Sequence, residues 1–250
     1  MLICGLQRTT LIDYPGKVAA TVFLAGCNFR CPWCYSSELV LLEKIKKQPK
    51  ITEKDFFAFL KEKRGLLDGI VLCGGEPSLN KDLPVFIKKI KGLRFLVKLD
   101  TNGSNPDMVK KLIDEKLVDY IAMDIKAPLS AKIQISKPKF QIKSKIPMSK
   151  YQKATGVKID LEKIKKSIEI IKNSGIDYEF RTTVVKGIHS KEDIVQIAKD
   201  IAPAKAYFLQ NFRPEKTLNP DFEKTKPYSK EYLLEIRELI KELFGTCQVR

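Results

Sequence analysis

The chain has 250 residues, 44% of them hydrophobic, and a net charge of +16 at pH 7. It can bury a full core, and no apolar run approaches the ~20 residues that cross a bilayer, which argues against a membrane protein. The first residues lack the pattern of a signal peptide, and six cysteines are too few for a disulfide scaffold. We therefore expect a cytoplasmic protein.

The positive charge comes mainly from lysine, with 38 Lys against 8 Arg. Nucleic-acid-binding surfaces tend to use arginine for bidentate contacts, whereas dispersed lysine is typical of a solvated surface. The charge alone therefore keeps nucleic-acid binding as an alternative, the less favoured one.

Along the chain, the hydrophobic pattern predicts apolar strands that alternate with amphipathic helices. Six strand–helix units without hairpin signals predict an α/β fold whose parallel sheet is an open sheet or a barrel. The first helix begins at Thr52, where "TEKD" resembles a capping box. The predicted strands are 19–24, 69–73, 94–100, 120–125, 178–185 and 206–212, and the later helices are 81–91, 106–116, 160–175, 190–200 and 229–244.

Polar motifs follow five of these strands: the cysteines, "GGEP", "DTNG", "DIK" and "NFRP". Chemistry in parallel α/β folds gathers at the carboxyl ends of strands, so we expect these motifs to form one site. Residues 125–159 break the pattern, with nine lysines and no Asp or Glu. This stretch is predicted to be an irregular excursion, either a mobile, solvated one or, as the less favoured alternative, a lid or a docking surface.

Three cysteines occupy eight positions, at Cys27, Cys31 and Cys34, directly after the first predicted strand. Structural zinc usually takes four ligands from two separated pairs, and a redox dithiol would leave Cys27 unexplained. Three cysteine ligands on a [4Fe–4S] cluster leave one iron open to a small molecule. The only histidine, His189, is expected to shape the entry to a helix, and Cys73 is expected to pack.

The C-x3-C-x2-C spacing, with Trp33 before the last cysteine and "GGEP" about forty residues on, resembles the radical S-adenosylmethionine (SAM) superfamily. Within it the chain is most similar to the glycyl-radical-enzyme activating proteins, especially the type that activates anaerobic ribonucleotide reductase. "GLQRTTLIDYPGKVAATVF", "IAMDIKAP", residues 150–194 and "YFLQNFRPEKTLNPDF" carry that similarity in order. The family's fold is an incomplete (β/α)6 barrel of the TIM type, here expected as one domain over 1–250.

The resemblance implies that Cys27, Cys31 and Cys34 bind one [4Fe–4S] cluster. It implies that the backbone of "GGE" receives the amino group of SAM and that Lys126 neutralises the methionine carboxylate. The SAM-binding residues that it implies are Trp33, Gly74, Gly75, Glu76, Asp100, Asn102, Asp124, Lys126, Arg181 and Arg213. Read without the family, Asp100 and Asn102 could cap a helix, and Asp124 with Lys126 could be an exposed ion pair. Tyr35 stands where relatives often have His, and Cys73 where a small hydroxyl residue is common.

The implied activity is that of an anaerobic oxidoreductase that cleaves SAM reductively to methionine and a 5′-deoxyadenosyl radical. That radical would remove hydrogen from a glycine of a partner glycyl-radical enzyme, with a flavodoxin- or ferredoxin-type protein as electron donor and no acid or base residue. Two alternatives stay open. One is a radical SAM enzyme that modifies RNA, a nucleotide or a small molecule, and the other is a non-catalytic metal-binding module.

Overall fold

The computed structural model of the protein describes residues 1–130 and 149–250. Within these ranges one sheet contains eight strands in the order β1 to β8, with β1 antiparallel to β2 and every later neighbour parallel. The strands are β1 (Ile3–Thr10), β2 (Ala19–Leu24), β3 (Gly69–Gly74), β4 (Leu96–Thr101), β5 (Tyr120–Asp124), β6 (Asp177–Val184), β7 (Ala204–Asn211) and β8 (Phe244–Val249).

Nine α-helices lie in the same two ranges, and most of them connect parallel strands. They are α1 (Ser37–Val40), α2 (Leu42–Ile45), α3 (Glu53–Glu62), α4 (Leu83–Gly92), α5 (Pro106–Asp114), α6 (Lys150–Thr155), α7 (Leu161–Lys172), α8 (Lys191–Ile201) and α9 (Lys230–Ile240). Parallel strands joined by helices that cover one face of the sheet form an incomplete (β/α) barrel, which confirms the predicted fold class.

The six predicted strands correspond to β2 through β7, whereas β1 and β8 were missed. The helix predicted from Thr52 is α3, and the Thr52 side chain accepts a hydrogen bond from the Asp55 N–H as its N-cap. The two missed strands extend the sheet by one strand at each edge.

The pleat of the strands separates two environments. In β4, Val97 and Leu99 join the core that the helices cover, while Lys98 and Asp100 point to the opposite, inner face. Lys98 is 2% exposed there and Glu179 of β6 is fully buried. The inner face of the sheet therefore holds buried charges among its apolar side chains.

The predicted irregular excursion over 125–159 needs one correction, because α6 lies within it. Ser149 and Gln152 form a reciprocal capping box at the start of α6, and Gly156 ends the helix with a left-handed φ of 69°. The central part of that stretch, 131–148, lies outside the described residues. In the described part of the chain, no helix combines the length and apolar character that crossing a bilayer requires.

Candidate cofactor site at the carboxyl edge of the sheet

The cysteine loop follows β2 and is held by the backbone around it. Arg30 bends back over the loop, and its Nη1 donates to the carbonyl oxygens of Cys27 at 2.6 Å and Phe29 at 2.7 Å. The Arg30 N–H donates to the Thr155 carbonyl of α6 over 2.8 Å. Hydrogen bonds therefore hold the loop both internally and against α6. The loop lies at the carboxyl edge of the sheet, where the sequence predicted it.

All three cysteines of the loop are free; Cys31 is buried, and Cys27 and Cys34 are partly buried. Burial raises the pKa of Cys27 to about 11 and that of Cys31 to about 12, and it raises the pKa of Cys34 as well. The positive charge of Lys126 opposes this shift at each thiol. Binding iron requires the thiolate, so loading this site must release protons.

The arrangement of the three thiols distinguishes a site for a single metal ion from a site for an iron–sulfur cluster. Within 1–130 and 149–250, no three His, Cys, Asp or Glu side chains are grouped as ligands of a metal ion. Cys27, Cys31 and Cys34 are nevertheless near enough to perturb one another's titration. A cluster takes each thiolate on a different iron, so it does not require three sulfurs on one ion.

The "GGE" segment after β3 packs its backbone directly on the start of the cysteine loop. Gly75 N–H donates to the Leu24 carbonyl over 2.8 Å, and Glu76 N–H donates to the Gly26 carbonyl over 2.7 Å. A Cβ on Gly75 would lie 2.0 Å from the Gly26 oxygen, and Gly74 has a φ of +117°. Both glycines are thus required by chain packing within the protein itself.

The Glu76 side chain is buried and connects the ends of β3 and β4. It accepts hydrogen bonds from the Asn102 N–H at 2.6 Å, the Thr101 hydroxyl at 2.7 Å and the Ser78 N–H at 3.1 Å. Burial nevertheless raises the pKa of Glu76 above its usual value. Internal hydrogen bonds occupy the Glu76 carboxylate. A ligand at this edge of the sheet would therefore contact the backbone of the segment and not this side chain.

Asn102 brings the "DTNG" motif against the cysteine loop. Its Nδ2 lies 3.0 Å from Asn28 Oδ1 and 3.9 Å from Cys27 Sγ, within the range of a weak hydrogen bond to sulfur. The N-cap of α5 is Asn105, so the helix-capping role considered for Asp100 and Asn102 is wrong. Asn28, which joins this contact, was not predicted from the sequence.

Four charged side chains, three from the neighbouring strands β4, β5 and β6 and one just after β5, form one chain of ion pairs. Arg181 Nη1 lies 2.9 Å from Asp100 Oδ2, Arg181 Nε lies 2.9 Å from Asp124 Oδ1, and Lys126 Nζ lies 3.0 Å from Asp124 Oδ2. Burial alone would raise the pKa of Asp124, but Arg181 and Lys126 outweigh it and lower the value to about 2. Lys126 is only 13% exposed, so the expectation of an exposed pair is wrong.

Lys126 also reaches the cysteine loop. Its Nζ lies 5.0 Å from the centre of the Trp33 ring, and that ring is 4% exposed. Trp33 Nε1 is a buried donor without a hydrogen-bond partner among the described residues. The site thus combines three thiols, an ammonium group and an unsatisfied indole N–H.

Arg213 is the predicted residue that stands apart. Its side chain is exposed, and its contacts within the described ranges do not reach the Asp100–Arg181–Asp124 chain. Its backbone N–H donates to the Tyr35 hydroxyl over 2.9 Å, and the Tyr35 ring stacks on Phe212 at 6.0 Å. Tyr35 thus links the cysteine loop to the segment after β7.

Cys73 packs on the inner face of the sheet, as expected from the sequence.

Comparison with protein families matches residues 21–201 to the family described as the Radical SAM superfamily. The chain is 31% identical over its full length to a candidate glycyl-radical enzyme activating enzyme of Methanocaldococcus jannaschii, covering 95% of that protein. It is 28% identical over 80% of its length to the GTP 3′,8-cyclase of Nautilia profundicola, covering 56% of that protein.

Among solved structures, Streptococcus suis SuiB bound to its precursor peptide SuiA matches 91% of the chain with a TM-score of 0.64 and 14% identity. The chain spans 47% of SuiB, about half of its length. At this identity the likeness supports the fold alone.

Proposed function

Because the chain belongs to the radical SAM superfamily, we propose that it is an activase that removes a hydrogen atom from a glycine of a glycyl-radical enzyme. Its cofactors are those of the superfamily, one [4Fe–4S] cluster and SAM. When bound, the cluster would pass one electron from an external reductant to the sulfonium of SAM, whose C–S bond would break to give methionine and the 5′-deoxyadenosyl radical that takes the hydrogen atom. The protein binds, orients and shields both cofactors.

The residues present fit the cluster. Cys27, Cys31 and Cys34 would each hold one iron, and their free, buried or partly buried thiols lie in one fixed loop. Trp33 Nε1 also fits a filled site, since a buried donor without a partner is costly in a protein interior.

The residues around the thiols fit SAM. The Lys126 ammonium would neutralise the methionine carboxylate, and Asp124 holds that ammonium in place. Arg181, fixed between two carboxylates, would line the same pocket together with Asp100. The carbonyl groups of "GGE" would accept hydrogen bonds from the amino group, because their strand end is packed against the cysteine loop.

The strongest support for the activase role is the similarity to a candidate activating enzyme over the whole chain. The partner would be a glycyl-radical enzyme of the anaerobic ribonucleotide reductase type, and a flavodoxin or ferredoxin would supply the electron. No titratable acid or base is needed for hydrogen-atom removal, which agrees with a chain whose one histidine is buried.

The experiment is anaerobic activation of a partner. The reconstituted protein is mixed with SAM, dithionite and the anaerobic ribonucleotide reductase of the same organism, and EPR monitors the partner. A glycyl-radical doublet that Cys31→Ala abolishes supports the proposal. A protein that cleaves SAM but yields no such doublet with any glycyl-radical enzyme of that organism contradicts the activase role.

A nucleotide substrate is the second candidate, favoured by the similarity to a GTP 3′,8-cyclase over 80% of the chain. It predicts that GTP or another purine nucleotide stimulates SAM cleavage without any protein partner. Absence of stimulation across purine nucleotides removes it.

A further inference from the structure

The only histidine of the chain is buried and has no place among the residues assigned to the cluster or to SAM. His189 is 2% exposed and lies in the loop between β6 and α8. Since a buried polar side chain is costly unless it is hydrogen-bonded, the partners of its two ring nitrogens indicate what it does.

The two contacts of the ring define one tautomer. The Val185 N–H donates to Nδ1 over 3.0 Å, so Nδ1 carries no proton and the proton of the neutral ring is on Nε2. Nε2 lies 2.8 Å from the carbonyl oxygen of Lys126 and donates to it. Burial lowers the pKa of His189 to about 4, so the ring keeps this neutral form at neutral pH.

Lys126 is thereby held at three points. Its N–H donates to the Tyr151 hydroxyl over 3.4 Å, its carbonyl accepts from His189 at 2.8 Å, and its Nζ pairs with Asp124 at 3.0 Å. The two backbone contacts determine the path of the chain as it leaves β5. They therefore fix the point from which the side chain extends, and the pairing with Asp124 then places the ammonium group over the Trp33 ring.

We propose that His189 is a positioning residue for SAM, whose Nε2–H holds the Lys126 carbonyl so that the Lys126 ammonium faces the methionine carboxylate. His189 acts through Lys126 and does not touch SAM. This role rests on the proposed function, because it takes SAM as the ligand of Lys126.

Two substitutions of His189 test the roles of its two ring nitrogens separately. His189→Asn keeps an acceptor near the Nδ1 position for Val185 and is too short to reach Lys126. His189→Gln keeps an amide N–H near the Nε2 position and is the conservative rescue. Tyr228→Phe is the matched control, since it removes a 2.8 Å hydrogen bond from the Tyr228 hydroxyl to the His189 carbonyl and leaves the ring contacts in place.

The first readout needs no cofactor. Trp33 is the only tryptophan, and the Lys126 ammonium lies 5.0 Å from its ring, so its fluorescence reports the position of that charge. Lys126→Met provides the spectrum without the ammonium. We expect His189→Asn to move the emission of the apo-protein toward that spectrum, and His189→Gln and Tyr228→Phe to keep the wild-type emission.

The second readout is SAM binding to the reconstituted protein by calorimetry, together with KM and kcat for 5′-deoxyadenosine formation. Loss of one positioning hydrogen bond is expected to weaken SAM binding about tenfold in His189→Asn and to leave kcat at saturating SAM near wild type. Binding as tight in His189→Asn as in Tyr228→Phe, or unchanged Trp33 emission, overturns the proposal. If the wild-type protein itself binds no SAM, the proposed function fails, and the emission spectra alone still decide whether His189 holds Lys126.

Discussion

The side-chain amide of Asn102 lies 3.9 Å from the thiol of Cys27, so the end of β4 contacts the cysteine loop. Hydrogen bonds to a ligand sulfur stabilise the reduced cluster and raise its potential. Asn102→Ala should therefore lower the midpoint potential in an EPR-monitored redox titration and slow SAM cleavage about 10-fold with a weak reductant. Ser104→Ala is the control, because it removes a neighbouring hydrogen bond, from Asn28 Nδ2 to the Ser104 hydroxyl, and leaves the Asn102 amide in place. Equal potentials in Asn102→Ala and Ser104→Ala would rule out this tuning.

Glu179 is a buried carboxylate on the inner face of the sheet, held by cations from distant parts of the chain. Arg250 contacts both of its oxygens at 3.0 and 3.1 Å, Tyr120 donates to it at 3.0 Å, and Lys98 lies 4.0 Å away. Glu179→Ala removes the carboxylate shared by the half-exposed Arg250 and by Tyr120, and it leaves the buried Lys98 with Asp100 as its acidic partner, at 3.4 Å. It should therefore lower the free energy of unfolding by about 3 kcal/mol. Urea unfolding measures this, with Asp114→Ala in an exposed helix pair as the control. Equal losses in both variants would contradict a structural role for the buried network.

Gly75→Ala tests the close approach between the "GGE" segment and the cysteine loop. The added Cβ would lie 2.0 Å from the Gly26 carbonyl oxygen, so the loop has to move. We expect the variant to fold but to retain only a small part of the wild-type iron after reconstitution. Gly92→Ala meets no atom within 4 Å and should bind iron like the wild type. Full iron content in Gly75→Ala would show that the loop tolerates the shift.

His189 should make the stability depend on pH in mildly acidic solution. Its pKa falls from 6.5 to about 4 on folding. The unfolded chain therefore binds the proton more readily than the folded chain. The stabilising contribution of the neutral ring is full above pH 6.5 and is lost as pH falls toward 4. Between pH 7 and pH 5 the wild type should lose about 2 kcal/mol more than His189→Gln in chemical unfolding. Parallel losses in the two proteins would mean that the ring is not held neutral by burial.

Much of the fold is predictable because β2 through β7 are short apolar runs, as buried parallel strands require. β1 was missed because exposed Gln7, Arg8 and Thr9 interrupt its pattern at the sheet edge. β8 carries exposed Gly245 and Thr246 for the same reason. Edge strands are covered on fewer sides, so their sequences carry a weaker signal.

The site was predictable for those motifs that directly follow a strand, because the carboxyl ends of parallel strands lie at the same edge of the sheet. Arg181, Asp124 and Lys126 accordingly come together. The contact of His189 could not be inferred, because its partner is a main-chain carbonyl 63 residues earlier and leaves no trace in residue type. The exposed side chain of Arg213 likewise depends on the path of the segment after β7.

The most direct test of the whole account is EPR of the anaerobically reconstituted, dithionite-reduced protein before and after SAM, followed by assay of 5′-deoxyadenosine. We predict a reduced [4Fe–4S] signal that shifts on addition of SAM, and 5′-deoxyadenosine that disappears in Cys31→Ala. A fully loaded cluster whose signal is indifferent to SAM, with no 5′-deoxyadenosine formed, would contradict the radical mechanism and leave a non-catalytic metal-binding protein.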